Sequence, residues 1–232
     1  MFGRHLPVAQ VYGASLANDG VLRGLIGPRE VPRLWERHLL NCAVVAELIP
    51  EGAAVLDVGS GAGLPGIPLA IARPDLMVTL LEPLGRRSAF LEEMVRTLDL
   101  VHVRVVRGRA EEWGARPLVE VVTARAVAPL DRLVGWCVPL LLPGGRLLAI
   151  KGAAVQAEIH RAAGAIAKAG GRRAQVRSCG VGVLHRPATV VEVVKATGTA
   201  KGGGASNEPS SRSGRRTNRE PSGMAGCRRG SA

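Results

Sequence analysis

The chain has few aromatic residues, few cysteines and no long apolar run, and each scarcity removes a class of function. Aromatics make up 3% of the 232 residues, so Trp35, Trp113 and Trp136 are read first as core residues and only second as surfaces on which a flipped base could stack. The four cysteines, Cys42, Cys137, Cys179 and Cys227, stand far apart without paired metal spacing and read as buried reduced thiols. The 5 histidines are equally scattered, so no zinc or other metal centre is expected. Hydrophobic residues reach 47%, yet nothing approaches the roughly 18 uninterrupted apolar residues of a membrane span. Met1 to Gln10 carry Arg4 and His5 but no continuous apolar segment ahead of a cleavage site, which argues against a secretory signal. A soluble cytosolic protein with no membrane partner is the expectation.

Acidic residues are also outnumbered, 19 against 31 basic, for a formal charge of +12. Thr197 to Ala232 hold seven basic and two acidic residues, so +7 remains on the first 196. A basic globular part favours polyanions through counterion release, and nucleic acid is the partner class to test first. The same charge would arise from an Arg-, Gly-, Ala-, Val- and Pro-rich, Lys-poor composition, so it carries little weight alone.

Residues 1–50 carry helical signals, with Leu34, Trp35, His38, Leu39, Cys42, Val45 and Leu48 spaced as on one amphipathic helix over Val31 to Ile49. Pro50 and Gly52 stop it. Over 51–196 strands and helices alternate. Strands are expected at Ala53–Val58, Met77–Leu81, Val101–Val106, Leu118–Thr123 and Arg146–Ile150, and helices at Leu64–Ala72, Leu84–Leu98, Pro129–Leu142 and Ala153–Ala169. Two late strands, Ala174–Ser178 and Thr189–Val194, read as an antiparallel hairpin at the sheet edge. The pattern predicts a doubly wound α/β domain, a mainly parallel seven-stranded sheet with helices on both faces. From Thr197 to Ala232 the Gly-, Ser- and Arg-rich composition cannot bury enough surface to offset chain entropy, and a disordered basic tail is expected.

The first strand runs into Asp57-Val58-Gly59-Ser60-Gly61-Ala62-Gly63-Leu64-Pro65-Gly66. Glycines at a strand end permit a tight turn and close approach of a ligand to backbone, while the next helix offers free N–H groups. A nucleoside-like ligand is implied. Gly61, Gly63 and Gly66 also satisfy G-x-G-x-x-G, so a nicotinamide-dependent oxidoreductase must be weighed. Asp57, however, would sit badly beside a pyrophosphate and well beside the amino or sulfonium end of a cationic ligand. Glu82, at the end of the second strand, stands where an acid can accept both ribose hydroxyls.

Asp57 to Leu69, DVGSGAGLPGIPL, closely resembles the cofactor motif of the bacterial ribosomal RNA small-subunit methyltransferase G family, once called glucose-inhibited division protein B. The resemblance continues through Arg37-His38-Leu39-Leu40-Asn41, LLEPLGRR (Leu80 to Arg87), RGRAEE (Arg107 to Glu112), Arg125-Ala126 and Lys151-Gly152, and covers roughly Gly20 to Lys195. It implies a class I S-adenosylmethionine-dependent methyltransferase, Rossmann-like in fold. Such an enzyme moves a methyl group to N7 of one guanine in the decoding-region loop of 16S ribosomal RNA, leaving S-adenosylhomocysteine, and acts as a monomer on naked RNA or on the small subunit. Carried over by position, Gly59 and Leu64 line the methionine end with Gly61 and Gly63 in the same loop. Ala110 and Glu111 take the adenine, and Arg125 stands at the mouth as a cofactor and catalytic residue. Ala124 stands where relatives often have Ser, and the tail has no family counterpart.

That chemistry suits the sequence. Guanine N7 carries an in-plane lone pair, so attack on a sulfonium methyl needs no deprotonation, and no His/Asp or Cys/His arrangement stands out. Catalysis then falls to proximity and alignment. An Arg usually forks onto guanine O6 and N7, but here N7 must stay free, so a guanine-reading Arg addresses O6 or a phosphate. Arg86, Arg87, Arg109, Lys151, Arg186 and His38 are candidate RNA contacts. Each also has an ordinary reading as a solvated cation, or for His38 as a packed imidazole. A catalytically silent RNA-binding protein is the remaining alternative.

Overall fold

The computed structural model describes residues 1–113, 119–152 and 155–197. Seven strands form one sheet: β1 (Ala54–Val58), β2 (Met77–Glu82), β3 (Val103–Arg107), β4 (Val119–Arg125), β5 (Leu141–Lys151), β6 (Gly171–Cys179) and β7 (Ala188–Lys195). Their order is β3-β2-β1-β4-β5-β7-β6. The first five are parallel, and β7 runs antiparallel to both β5 and β6. This is the expected doubly wound sheet, with the late hairpin supplying its outer edge at β6.

Helices α3 (Gly66–Ala72) and α4 (Gly85–Thr97) cross over between β1, β2 and β3, whereas α5 (Leu130–Cys137) and α6 (Val155–Lys168) follow β4 and β5. Two apolar clusters result, one holding Ile67, Leu69, Phe90 and Leu91, the other Leu130, Leu133, Val134 and Ala162. The direction of winding reverses between β1 and β4. In such sheets the crevice beyond the carboxyl ends at that reversal is where ligands bind. Register brings Val58 level with Leu81 on one side and Ala124 on the other, so the loops after β1, β2 and β4 share one rim.

The N-terminal extension comprises α1 (Leu6–Ser15) and a helical ribbon from Pro28 to Leu48 whose winding changes along its length. It is 3₁₀ at Pro28–Arg33, π at Leu34–Leu40, α only at α2 (Asn41–Ala43) and 3₁₀ again at Val44–Leu48. Apolar spacing shows which face packs but not which carbonyl each N–H finds, and Pro32 has no N–H to offer. The expected helix over 129–142 also ends sooner, at Cys137. Pro139 interrupts it, and the chain turns through Val138–Leu140 into a β5 that begins five residues earlier than predicted. Cys42, Cys137 and Cys179 are buried free thiols, as expected. Cys227, the tail from 198 onward, Leu118 and Ala153 lie outside the described residues.

Candidate active site

The loop after β1 is held from beneath by two acids. Asp57 has no exposed surface. Its Oδ2 accepts the Gly66 N–H at 3.0 Å, and its Oδ1 accepts the Thr123 hydroxyl at 3.2 Å. Burial pushes this carboxyl up to about 6. The sequence places Asp57 beside the cationic end of a ligand; in the structure its carboxyl has no open face and is spent on the Gly66 N–H and the Thr123 hydroxyl. The strand turns its side chain under the loop, and any effect on a cationic ligand passes through that layer. Glu82, 1% exposed, accepts the Gly61 N–H at 2.9 Å and the Leu84 N–H at 3.0 Å. Each oxygen retains a second lone pair, but the carboxylate first serves to tie the loops after β1 and β2 together.

Gly59 and Gly66 are required for different reasons. Gly59 has φ +69°, and a Cβ there would come 2.8 Å from Val127 Cγ2. Gly66 is a matter of close approach, since its Cβ would fall against the Leu80 side chain and 2.8 Å from Asp57 Oδ2. Gly63, expected to touch ligand, is turned inward, where a Cβ would meet Ile67 and the Tyr12 hydroxyl. These placements overturn the dinucleotide reading. Gly63, the glycine that would let a pyrophosphate approach, packs inward, and the first helical N–H already holds the Asp57 carboxyl, so a pyrophosphate there would meet negative charge.

Two clefts open on either side of Gly59. The first, about 200 Å³, is walled by Val58, Leu81, Pro83, Gly108, Arg109, Ala110, Glu111, Val127 and Trp136. Its lining is largely apolar, with a carboxylate and a guanidinium at the edge, and it suits a purine. The second, about 230 Å³, is walled by Leu25, Ile26, His38, Ser60, Gly61, Ala62, Leu64, Arg87, Arg125 and Ala126. Here apolar side chains share the wall with glycine-loop backbone, an imidazole and two guanidinium groups. A nucleoside with a thioether or sulfonium arm fits the pair, its base in the first cleft and its arm passing Gly59, where a Cβ would press against Val127. Gly59, Gly61, Leu64, Ala110, Glu111 and Arg125 thus line two adjoining clefts that share Gly59.

Arg125, half-buried at the end of β4, is anchored wholly by the N-terminal ribbon. Its Nη1 donates to Cys42 Sγ at 3.0 Å, and its Nη2 to the Arg37 carbonyl at 3.1 Å and to His38 Nδ1 at 2.8 Å. Nε–H and the other Nη1–H have no partner among the described residues. Burial pushes the Cys42 thiol up to about 11 despite the guanidinium beside it, so it is no nucleophile at neutral pH. The next residue, Ala126, has φ +54°, a left-handed conformation that alanine adopts at a cost of roughly 1 kcal/mol. Backbone strain of this kind concentrates at ligand sites.

Other candidates separate clearly. Lys151 is not a free cation for RNA: its Nζ bonds Glu158 Oε1 at 2.7 Å and the Ala128 carbonyl at 2.9 Å, while Glu158 accepts the Leu130 N–H at 2.7 Å. It fixes the loop from Ala126 into α5. His38 is 9% exposed with both ring nitrogens engaged, so it braces the wall instead of reading RNA. Arg86 is exposed at the start of α4. Arg87 lines the second cleft, and its buried Nε has no partner among the described residues. Arg109 is exposed with Glu112 only 3.8 Å away. Arg186 is exposed in a basic bowl with Arg33, Arg37 and His185, some distance along the chain from the glycine loop.

Sequence reasoning missed Tyr12, Glu30 and Val127. Tyr12 is fully buried in α1, and its hydroxyl donates to the Ala62 carbonyl at 2.8 Å. The extension thus builds the ligand loop and does more than pack on it. No local signal marks such a contact across fifty residues.

Comparison with known proteins bears on the family and the fold. The family model GidB, rRNA small subunit methyltransferase G, matches residues 6–186. The chain is 59% identical over 202 residues to the ribosomal RNA small subunit methyltransferase G of Salinispora tropica, covering 84% of each chain. It is 58% identical over 202 residues to that of Thermobifida fusca, covering 87% of this chain and 85% of the relative. The solved structure of M. jannaschii TYW2 in complex with AdoMet gives a TM-score of 0.54 at 18% identity, covering 68% of this chain and 74% of that one. A predicted O-methyltransferase from Agrobacterium tumefaciens gives 0.54 at 14% identity, covering 67% and 80%. At such identities the likeness establishes the fold alone, that of a class I methyltransferase. Joined to the match over 6–186 and the relatives above half identity, it shows that the chain belongs to the GidB family, rRNA small subunit methyltransferase G, whose methyl donor is S-adenosylmethionine.

Proposed function

We propose that the enzyme methylates N7 of one guanine in the decoding-region loop of 16S ribosomal RNA, in the cytosol and as a monomer. The observation that carries this reading is Arg125: two unpartnered N–H donors on a rigidly held guanidinium, beside the loop that takes the cofactor. Among the residues walling that cleft no free base stands ready, since both nitrogens of His38 are engaged. Chemistry at guanine N7 needs none. Bound S-adenosylmethionine supplies an electrophilic methyl on a sulfonium. The chain's own residues orient the acceptor, with Arg125 donating to guanine O6 or a flanking phosphate and leaving N7 clear.

RNA approaches over the basic bowl, about 550 Å³, formed by Arg33, Arg37, Asn41, His185 and Arg186 with Glu36 as its one acid. It adjoins the reaction centre, because the Arg37 carbonyl is the group Arg125 holds. Phosphates in this bowl would position the strand without reading its sequence. The test is incubation with labelled S-adenosylmethionine and small subunits, or their naked RNA, from cells lacking the gene, followed by mass spectrometry of 16S fragments. Label on a single guanine, released by N7-specific cleavage chemistry, is expected. Label on another atom, or none in 16S RNA, refutes the reading.

A further inference from the structure

The Arg125 guanidinium meets the cleft only because its other side is held. Both hydrogens of Nη2 go to the ribbon, one to the Arg37 carbonyl and one to His38 Nδ1. For Nδ1 to accept at 2.8 Å it must carry a lone pair, so the imidazole is neutral with its proton on Nε2. That Nε2 stands 2.9 Å from Glu30 Oε2, which accepts the proton's hydrogen bond. The other carboxylate oxygen, Oε1, accepts from Arg37 Nη1 at 3.3 Å. One half-buried acid thus braces both residues on which Arg125 Nη2 rests. With the proton on Nδ1, or on both nitrogens, an N–H would face the guanidinium and the contact would be lost.

We propose that Glu30 is a positioning residue for methyl transfer: by fixing His38 as its Nε2–H tautomer, and by holding Arg37, it keeps the Arg125 guanidinium aimed at the target base. The proposal rests on the reading of Arg125 given above. The charged groups facing His38 are Glu30 and Arg37 from its own segment and Arg125 from the end of β4, with the Cys42 thiol on the far side of that guanidinium. Burial, with the positive charge of Arg125, holds the imidazole below its ordinary value, so it is neutral at neutral pH even with Glu30 pulling the other way.

Two experiments test this on the full chain. In ¹⁵N-labelled protein at pH 7.5, long-range ¹H–¹⁵N correlation should show His38 with its proton on Nε2 and an acceptor Nδ1. The opposite tautomer, or a charged ring, overturns the proposal, and this readout does not depend on whether RNA is methylated. The second is a double-mutant cycle. In E30Q one amide oxygen cannot serve both His38 and Arg37, so kcat should fall about tenfold with the affinity for S-adenosylhomocysteine unchanged. The acid limb of kcat should also move to lower pH, because the anion that favoured protonation of His38 is gone. H38N keeps an acceptor where Nδ1 lay and needs no tautomer, so adding E30Q to H38N should cost less than it does in the parent, leaving only the share that passes through Arg37. Equal losses from E30Q in both backgrounds, or an unmoved acid limb, would show that Glu30 only supports the fold.

Discussion

The two sides of Gly59 are built in different ways. Beneath the loop, Asp57, Gly66 and Glu82 lie within 25 residues of one another on consecutive elements, and the bonds among them close over short stretches of chain. On the side of Arg125, the partners are Arg37, His38, Cys42 and Glu30, more than eighty residues away, reached only after the ribbon docks. On the proposed reading, one side grips the cofactor with backbone held by buried acids. The other aims a cation with a chain of side-chain hydrogen bonds. Damage to the first should appear in cofactor affinity, and damage to the second in turnover.

The largest effect that would separate them is Arg125→Ala. Turnover on small subunits should drop about a hundredfold, the usual scale for losing a preorganised donor, while S-adenosylhomocysteine binds nearly as before. Arg125→Lys should be almost as poor, because one ammonium cannot span Cys42, the Arg37 carbonyl and His38 while still facing the cleft. If calorimetry showed cofactor affinity falling in step with turnover, the two sides would not be separable.

Next comes pH. Burial raises Asp57 in the free protein to about 6, above its unfolded value, so its contribution to folding is greatest below about 4 and is lost as pH rises through 6. A cationic ligand above the loop favours the carboxylate. Cofactor affinity should therefore fall by up to about tenfold per pH unit below 6, and Asp57→Asn should flatten the curve at its weaker end. His38, held below its ordinary value, works in the opposite sense: its support of the fold is present above about 6.5 and fades as pH drops. Titrations from pH 5 to 7.5 that showed no acid weakening would mean that Asp57 does not sense the ligand.

This division also explains what was legible beforehand. The alternation of strands and helices, the turn after β1 and the acid ending β2 are properties of short windows, and the structure holds them within a few residues of the predicted bounds. The faults were of partner and direction. Lys151 is five residues past Arg146, but the acid that neutralises it comes from the next helix. Gly63 belongs to the right motif, but its inward turn depends on Tyr12 in α1. Nothing in the spacing of Arg37 and His38 reveals a guanidinium 87 residues on. Side chains that cross between distant segments leave no period, and their roles could be read only once the ribbon was in place.

Tyr12→Phe crosses the boundary between the two sides, since it removes from α1 of the N-terminal extension a hydroxyl that the loop after β1 uses. One buried hydrogen bond is worth about 1 kcal/mol, and the Ala62 carbonyl would be left unpartnered. We expect cofactor affinity to fall about fivefold with kcat nearly unchanged, the opposite of Arg125→Ala. A loss confined to kcat would place Tyr12 with the aiming side instead.

The smallest effects distinguish cations that merely look alike in the sequence. Arg33 and Arg186 border the bowl and are exposed, so replacing either by alanine should raise KM for RNA a few-fold and reduce the slope of log affinity against log salt by about 1. Lys151 carries the same charge but is enclosed by Glu158 and the Ala128 carbonyl. Its removal strands a half-buried carboxylate that still caps Leu130, and should cost about 1–3 kcal/mol of stability, read by urea unfolding. The salt slope should then match the parent. A cation touching phosphate must show in counterion release wherever the fold survives. A salt slope lowered in Lys151→Ala as far as in Arg186→Ala would therefore mean that RNA binding opens the Lys151–Glu158 pair.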